Sequence, residues 1–264
     1  MRAWPCLLLL LAGCPERRYP ERGTELVFHA QNVGDDAREA VERRLARAKL
    51  KVHLFSDSDS LTVRVPEGGD VAQVKALLMT PAKLELCEEF VESAVALCER
   101  VPDGGVTLEH EGQSGCAYAG ADAATVRAQA QAAGPSRVVL EEGEGPQKYR
   151  SRFAASGCLM PRIVDAQPVT AEGGPAVIAV SFDDPSGTEF EALTRKLVRK
   201  RLLIVLDDVV LLAPVVMEPI HGGKAQLTGR WSEADAALLA AQLAGGPVPV
   251  LRLEKMSTYG PPRL

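Results

Sequence analysis

Aromatic residues are scarce, at 5% of the 264 residues. A stacking platform for nucleic-acid bases is therefore not expected. An excess of positive charge is absent too. The formal net charge is −5, which argues against a nucleic-acid partner and against a polybasic membrane patch. Cys-x-x-Cys does not occur, and His29, His53, His110 and His221 are scattered along the chain. His110 lies in LEHEGQSGC between two glutamates and near Cys116, but a solvated polar loop is the simpler reading, and no metal is expected. The glycine pairs at 222–223 and 245–246 lack the following Lys-Ser/Thr of a phosphate loop. Ser181, Ser186 and Ser232 have no nucleophile-elbow context. Ser186 and Ser232 read instead as helix-start residues, Ser232 together with Asp235. A non-enzymatic protein without cofactor is the expectation.

A long hydrophobic run is also missing. The greasiest stretch beyond the N-terminus is RKRLLIVLDDVVLLAPVV, residues 199–216. A spanning helix needs about 20 apolar residues. Here Asp207 and Asp208 interrupt the run five residues after it starts at Leu202, and Pro214 follows. An aspartate at the centre of a span costs roughly 2.5–3.5 kcal/mol even on a lenient insertion scale. The stretch reads as a β-hairpin with the two acids as solvated turn residues.

What is present begins with a targeting segment. MRAWPCLLLLLAGC has a positive start at Arg2, a short leucine run and small residues directly before Cys14. This spacing resembles the bacterial lipobox, which implies removal of residues 1–13 and lipidation of Cys14. Acyl chains contribute about 0.8 kcal/mol per buried CH₂, so the expected contact with the membrane is a lipid anchor on the periplasmic side of the envelope. Residues 14–23, rich in charge and proline, read as a tether. Export implies an oxidising compartment. Four cysteines remain, Cys87, Cys98, Cys116 and Cys158, and they allow three pairings. Loop entropy favours Cys87–Cys98 with Cys116–Cys158.

Residues 24–87 carry the pattern strand–helix–strand–strand–helix–strand. ELVFHA is the first strand, and DDAREAVERRLARAKL is a helix with Asp35 or Asp36 as its cap. Two strands flank Ser56 and Ser60, DVAQVKALLMT is the second helix and AKLELCEEF the closing strand. That order is the split βαβ repeated once, a ferredoxin-like base. Residues 88–159 are a cysteine-containing insert of unassigned topology, with a helix at 121–133 and a strand at 137–140. Beyond them AVIAVSFDD is a strand and PSGTEFEALTRKLVRK a helix.

These segments resemble a known family. Residues 160–248 resemble the head of the large periplasmic domain of SecD, the protein-export accessory subunit. The matching features run in order. They are Phe182-Asp183, Leu193-Thr194, Lys200-Arg201-Leu202, Ile204-Val205-Leu206-Asp207, Ala213-Pro214, Ile220 with Gly222-Gly223, Ala225-Gln226, Gly229 and Ser232-Glu233-Ala234. Residues 24–87 are similar to the base of that domain, and residues 249–264 to the strand that returns from head to base. Residues 88–159 lie outside the resemblance. It implies an α+β fold, a ferredoxin-like base with an inserted head, and contact with exported polypeptide or Sec translocon components. The surface it points to is the hairpin and neighbouring edge strands: Leu203, Val205, Val209, Leu211 and Gln226. A structural or assembly module of an envelope complex is the alternative. Three departures stand out. Asp207-Asp208 replaces the usual Asp-Gly, Arg199 stands where glycine is common, and the intramembrane bundle that drives export is expected to be lacking.

Overall fold

The computed structural model describes residues 22–30, 34–90, 105–110, 113–133, 137–143, 145–155, 157–170, 176–229 and 231–260. The architecture is α+β. The first six elements are β1 (Gly23–His29), α1 (Asp35–Arg47), β2 (His53–Ser56), β3 (Ser60–Pro66), α2 (Val71–Met79) and β4 (Leu84–Glu88). In β3 the residues Leu61, Val63 and Val65 are buried and their neighbours are not, the period of two of a half-buried strand. They pack with Leu26 and Phe28 of β1 and with Val41, Leu45, Val74, Leu77 and Leu78 of the two helices. Gly34 occupies the N-cap position of α1. Asp35 and Asp36, expected as caps, lie instead in the first turn, where they complement the helix dipole. In α2 the Asp70 carboxylate caps the helix by accepting from the Gln73 N–H at 2.8 Å.

The base sheet has the order β14-β1-β3-β2, where β14 is Arg252–Tyr259, and all its neighbours are antiparallel. This is the split βαβ order, with one correction. Its fourth strand is β14, not β4. The burial patterns give the reason. Leu84, Glu85, Leu86 and Cys87 are all buried, so β4 needs cover on both faces. By contrast β14 is exposed at most positions, which suits an edge.

The middle of the chain supplies β5 (Gly105–His110), β6 (Gln113–Gly120), α3 (Ala123–Ala133), β7 (Arg137–Glu142) and β8 (Tyr149–Ala154). The expected helix and strand are therefore there. Next come β9 (Ile163–Thr170), β10 (Ala176–Phe182), α4 (Asp184–Lys196), β11 (Leu202–Leu206), β12 (Val209–Leu212), β13 (Lys224–Thr228) and α5 (Glu233–Gly245). Strands β13-β10-β9 form a three-stranded antiparallel sheet. The order β4-β11-β12-β7-β8-β6-β5 makes a seven-stranded sheet, in which β12 and β7 run parallel. The middle segment is thus woven into the same sheet as the hairpin.

Helix α5 belongs to two cores. Ala236, Leu239, Ala240, Leu243 and Ala244 pack with Phe182, Phe190, Ile178 and Leu227 of the head. Ala241 and Leu238 pack with the base. Small side chains let one helix lie close to two layers, and alanine is the best intrinsic helix former. Among the described residues no helix is long and apolar enough to cross a membrane.

Candidate functional site

The apolar run folds as the expected hairpin. Leu206 faces Val209 across the two-residue turn, and Asp207 and Asp208 both have positive φ, at 49° and 67°. That is the mirror-image turn that matches strand twist. The acids are not simply solvated. The Asp207 carboxylate accepts from the N–H groups of Ala82 and Lys83, each at 2.9 Å. Asp208 pairs with Arg127 of α3 at 3.3 Å. The turn therefore fastens the hairpin to the segment before β4 and to α3.

β11 is uniformly apolar because both of its faces are covered. Leu202 and Ile204 enter the head core. Leu203 and Val205 point the other way and join Cys87, Val139, Ala154 and Val210. The sheet curls so that β4 meets β8. Glu89 bridges Ala154, Phe90 N–H donates to the Phe153 carbonyl at 2.8 Å, and Ala155 N–H donates to that of Glu88 at 2.9 Å. Strands β4, β11, β12, β7 and β8 thus close into a ring, and this second core fills it. Leu203 and Val205, expected on a binding surface, are both 0% exposed. They are removed from it: an alternating strand hides one half of its side chains, but this one hides both. Val209 and Leu211 are half-buried, Leu211 against the head core. Gln226 alone of the five is exposed, on β13. The hairpin strands and Gln226 belong to different sheets.

Charged groups line the same sheet face. Arg152 donates to Glu89 at 2.6 Å and to Glu141 at 2.8 Å. Burial alone would lower its pKa, but the two carboxylates outweigh that and raise it. This network holds β4, β7 and β8 together.

The cysteines pair differently from the expectation. Cys87 is bonded to Cys158, with their Cα atoms 4.4 Å apart. Loop entropy favoured Cys87–Cys98, but strand pairing decides the matter: Leu86 and Leu159 are bridged antiparallel, which sets Cys87 beside Cys158. Cys116 lies on β6. Cys98 and the anchor cysteine Cys14 fall outside the described residues. Ser186 accepts from the Arg162 N–H, and its own N–H is capped by Asp183. Ser232 caps α5 with Asp235, as expected.

The two edges of the three-stranded sheet differ. The Phe182 N–H donates to the Gly223 carbonyl at 2.8 Å, and this pair continues the β10–β13 register. Bonded pairs recur every two residues in an antiparallel ladder. Ala225 and Leu227 are therefore the β13 residues bonded to β10, and Lys224, Gln226 and Thr228 turn their backbone groups outward. On β9 the same parity turns Ala166 and Pro168 outward. Proline has no N–H to offer. Among the described strands β13 pairs on one side only, with β10. Sequence reasoning named Gln226 without seeing this. The signal was there in the Gly222-Gly223 turn before the strand and in Pro168 on the other edge.

Residues 139–250 match the family model SecDF, P1 head subdomain. The match begins inside the segment that the sequence resemblance had left uncovered, in β7, the strand beside the hairpin. The chain is 45% identical over 86 residues to the SecD protein translocase subunit of Syntrophobacter fumaroxidans, covering 32% of this chain and 16% of that protein. It is 27% identical over 249 residues to the SecD subunit of Acetobacter pasteurianus, covering 89% of this chain and 41% of that one. The chain thus spans less than half the length of these curated relatives. A solved SecDF, described as a membrane component that enhances protein export, shares its fold with a TM-score of 0.57 at 20% identity. That likeness covers 88% of this chain and 98% of the other. SecDF in its super-membrane-facing form gives a TM-score of 0.59 at 21% identity, over 89% of this chain and 30% of that one.

Proposed function

We infer that the protein is a non-catalytic, SecD-like domain of the bacterial envelope, held to the membrane by a lipid on Cys14 and acting in protein export by binding polypeptide. The match of residues 139–250 to the SecDF P1 head carries this reading. The ferredoxin-like base and the likeness to solved SecDF over most of the chain support it. Its partners are unfolded exported chains and components of the Sec translocon. Labelling with a radioactive fatty acid tests the anchor, with Cys14→Ala as the unlabelled control.

The test of function is crosslinking in cells from a photoreactive residue at Met217, which is 77% exposed on the head. Mass spectrometry then identifies what is captured. Translocon components, or many unrelated exported chains, are the expected catch. Capture of one defined envelope complex without either would overturn the reading in favour of an assembly module.

A further inference from the structure

We propose that the outer edge of β13 takes up one extended segment of an unfolded polypeptide as a fourth strand of the β13-β10-β9 sheet. The proposal rests on the polypeptide-binding reading above and specifies its site and its chemistry. Three residues, Lys224, Gln226 and Thr228, direct their N–H and C=O groups away from β10. Such a row of unpaired groups is a template for another strand. Its chemistry selects an extended backbone and is indifferent to side-chain identity, as a binder of many different chains requires.

The contrast with β9 sharpens the assignment. Natural edges are protected by proline, charge or a covering element. β9 carries Pro168 at an outward position, and α5 packs along it. On β13 the central outward position is Gln226, and the charged Lys224 stands only at the end. Ala225 and Leu227 turn their side chains inward, and Leu227 is buried in the head core, so the strand is fixed from within. Its register is therefore set before a ligand arrives, because a one-residue slip would expel Leu227 from the core. The ring of β4, β11, β12, β7 and β8 has no comparable opening, since its two ends meet.

The probe is a reduced, alkylated, fluorescently labelled polypeptide that cannot fold, titrated with the full chain and followed by anisotropy. Gln226→Pro removes an outward N–H that the β10 ladder does not use. It is expected to weaken binding at least tenfold without changing the circular dichroism spectrum. Gln226→Ala keeps the backbone and is expected to bind as the wild type does. Should the proline variant fail to fold, a peptide methylated at alternate backbone nitrogens replaces it, compared with its unmethylated twin on the wild-type chain. Equal binding of the two peptides, or wild-type binding by a folded Gln226→Pro, overturns strand addition but leaves polypeptide binding standing. Absence of any binding by the wild type overturns both. A dimer in sedimentation that Gln226→Pro dissolves would mean that a second copy, not a client chain, occupies the edge, and would also overturn the proposal.

Discussion

The guanidinium of Arg44 donates twice to the carbonyl of Gly246, at 2.7 and 3.1 Å. It also donates to Leu77 at 2.8 Å and to Thr80 and Pro81 at 2.5 Å each. Those carbonyls stand at the C-terminal ends of α2 and α5, where a helix leaves acceptors unpaired and its dipole is negative. A fully buried cation thus replaces a carboxylate partner with two helix ends. Burial pushes its pKa down to about 10, against a smaller upward pull from Asp207, and it stays charged at neutral pH.

The first prediction follows from that fork. Arg44→Met fits the volume but takes the donor from the carbonyls of Leu77, Thr80 and Gly246, while that of Pro81 keeps the Val248 N–H. A buried acceptor left unpaired costs roughly 1–3 kcal/mol. Arg44→Lys offers a point charge without the planar fork and rescues only part of the loss. Chemical denaturation is expected to show at least about 3 kcal/mol lost for Met and less for Lys. Gly245→Ala should approach the Met variant, because its Cβ would stand 2.2 Å from Arg44 Cγ. Wild-type stability in all three would refute the role.

Much of this was legible beforehand, and the limits have physical causes. The base showed itself through Leu61, Val63 and Val65, whose period of two survives because one face meets solvent. The hairpin showed itself through its interrupting acids. Pairing over long distances did not show. Nothing local in LELCE tells which sheet it joins, since a strand buried on both faces has no alternation to read. The same loss of pattern hides that Leu203 and Val205 are buried, so the hairpin to which the resemblance points carries no local sign of which residues face inward. The Cys87–Cys158 pairing did not show either, because chain distance is readable in the sequence and the Leu86–Leu159 bridge that sets it is not. The Arg44 fork was invisible, since its acceptors are backbone groups from two segments far from it in sequence.

Positive φ at non-glycine residues gives the second prediction. Arg199 has φ 65°, in the left-handed region that favours glycine, and Asp208 has φ 67° at the second turn position. Left-handed backbone costs a residue with a Cβ roughly 1 kcal/mol. Arg199→Gly should therefore raise stability by about 0.5–1 kcal/mol. Asp208→Gly gains the same relief but gives up a half-exposed pair with Arg127, worth at most about 0.5 kcal/mol. Asp207→Ala should instead destabilise by about 1–3 kcal/mol, since it removes the acceptor for two backbone N–H groups. Opposite signs for adjacent turn residues in thermal melts are the outcome to look for.

The disulfide yields the third. Cys87 and Cys158 are 71 residues apart, and a cross-link of that span constrains the unfolded chain by about 4 kcal/mol in the entropic model. A non-reducing peptide map should join the Cys87 and Cys158 peptides. Replacing both by alanine should cost about 2–4 kcal/mol. A map joining Cys87 to Cys98 would restore the shorter pairing.

Acid should loosen the junction of α4 with β4. Glu88 accepts from Lys196 at 2.6 Å and Lys200 at 3.1 Å. Its pKa is lowered from the usual 4.5, chiefly by the Lys196 hydrogen bond and against the opposing effect of burial. A carboxylate depressed in the folded state binds protons less readily there than in the unfolded chain, so its contribution is complete above 4.5 and fades as pH falls through the lower folded value. Both lysines are more than half exposed, so solvent screening holds the contribution below about 1 kcal/mol. Glu88→Gln should therefore melt about 2–4 °C below the wild type at pH 7 at most, and the gap should shrink in high salt. It should also close as the pH falls through the lowered folded-state value, where the wild-type carboxylate is neutralised as well. A gap that stayed unchanged across the whole acid titration of the folded protein would mean that Glu88 acts by shape and not by charge.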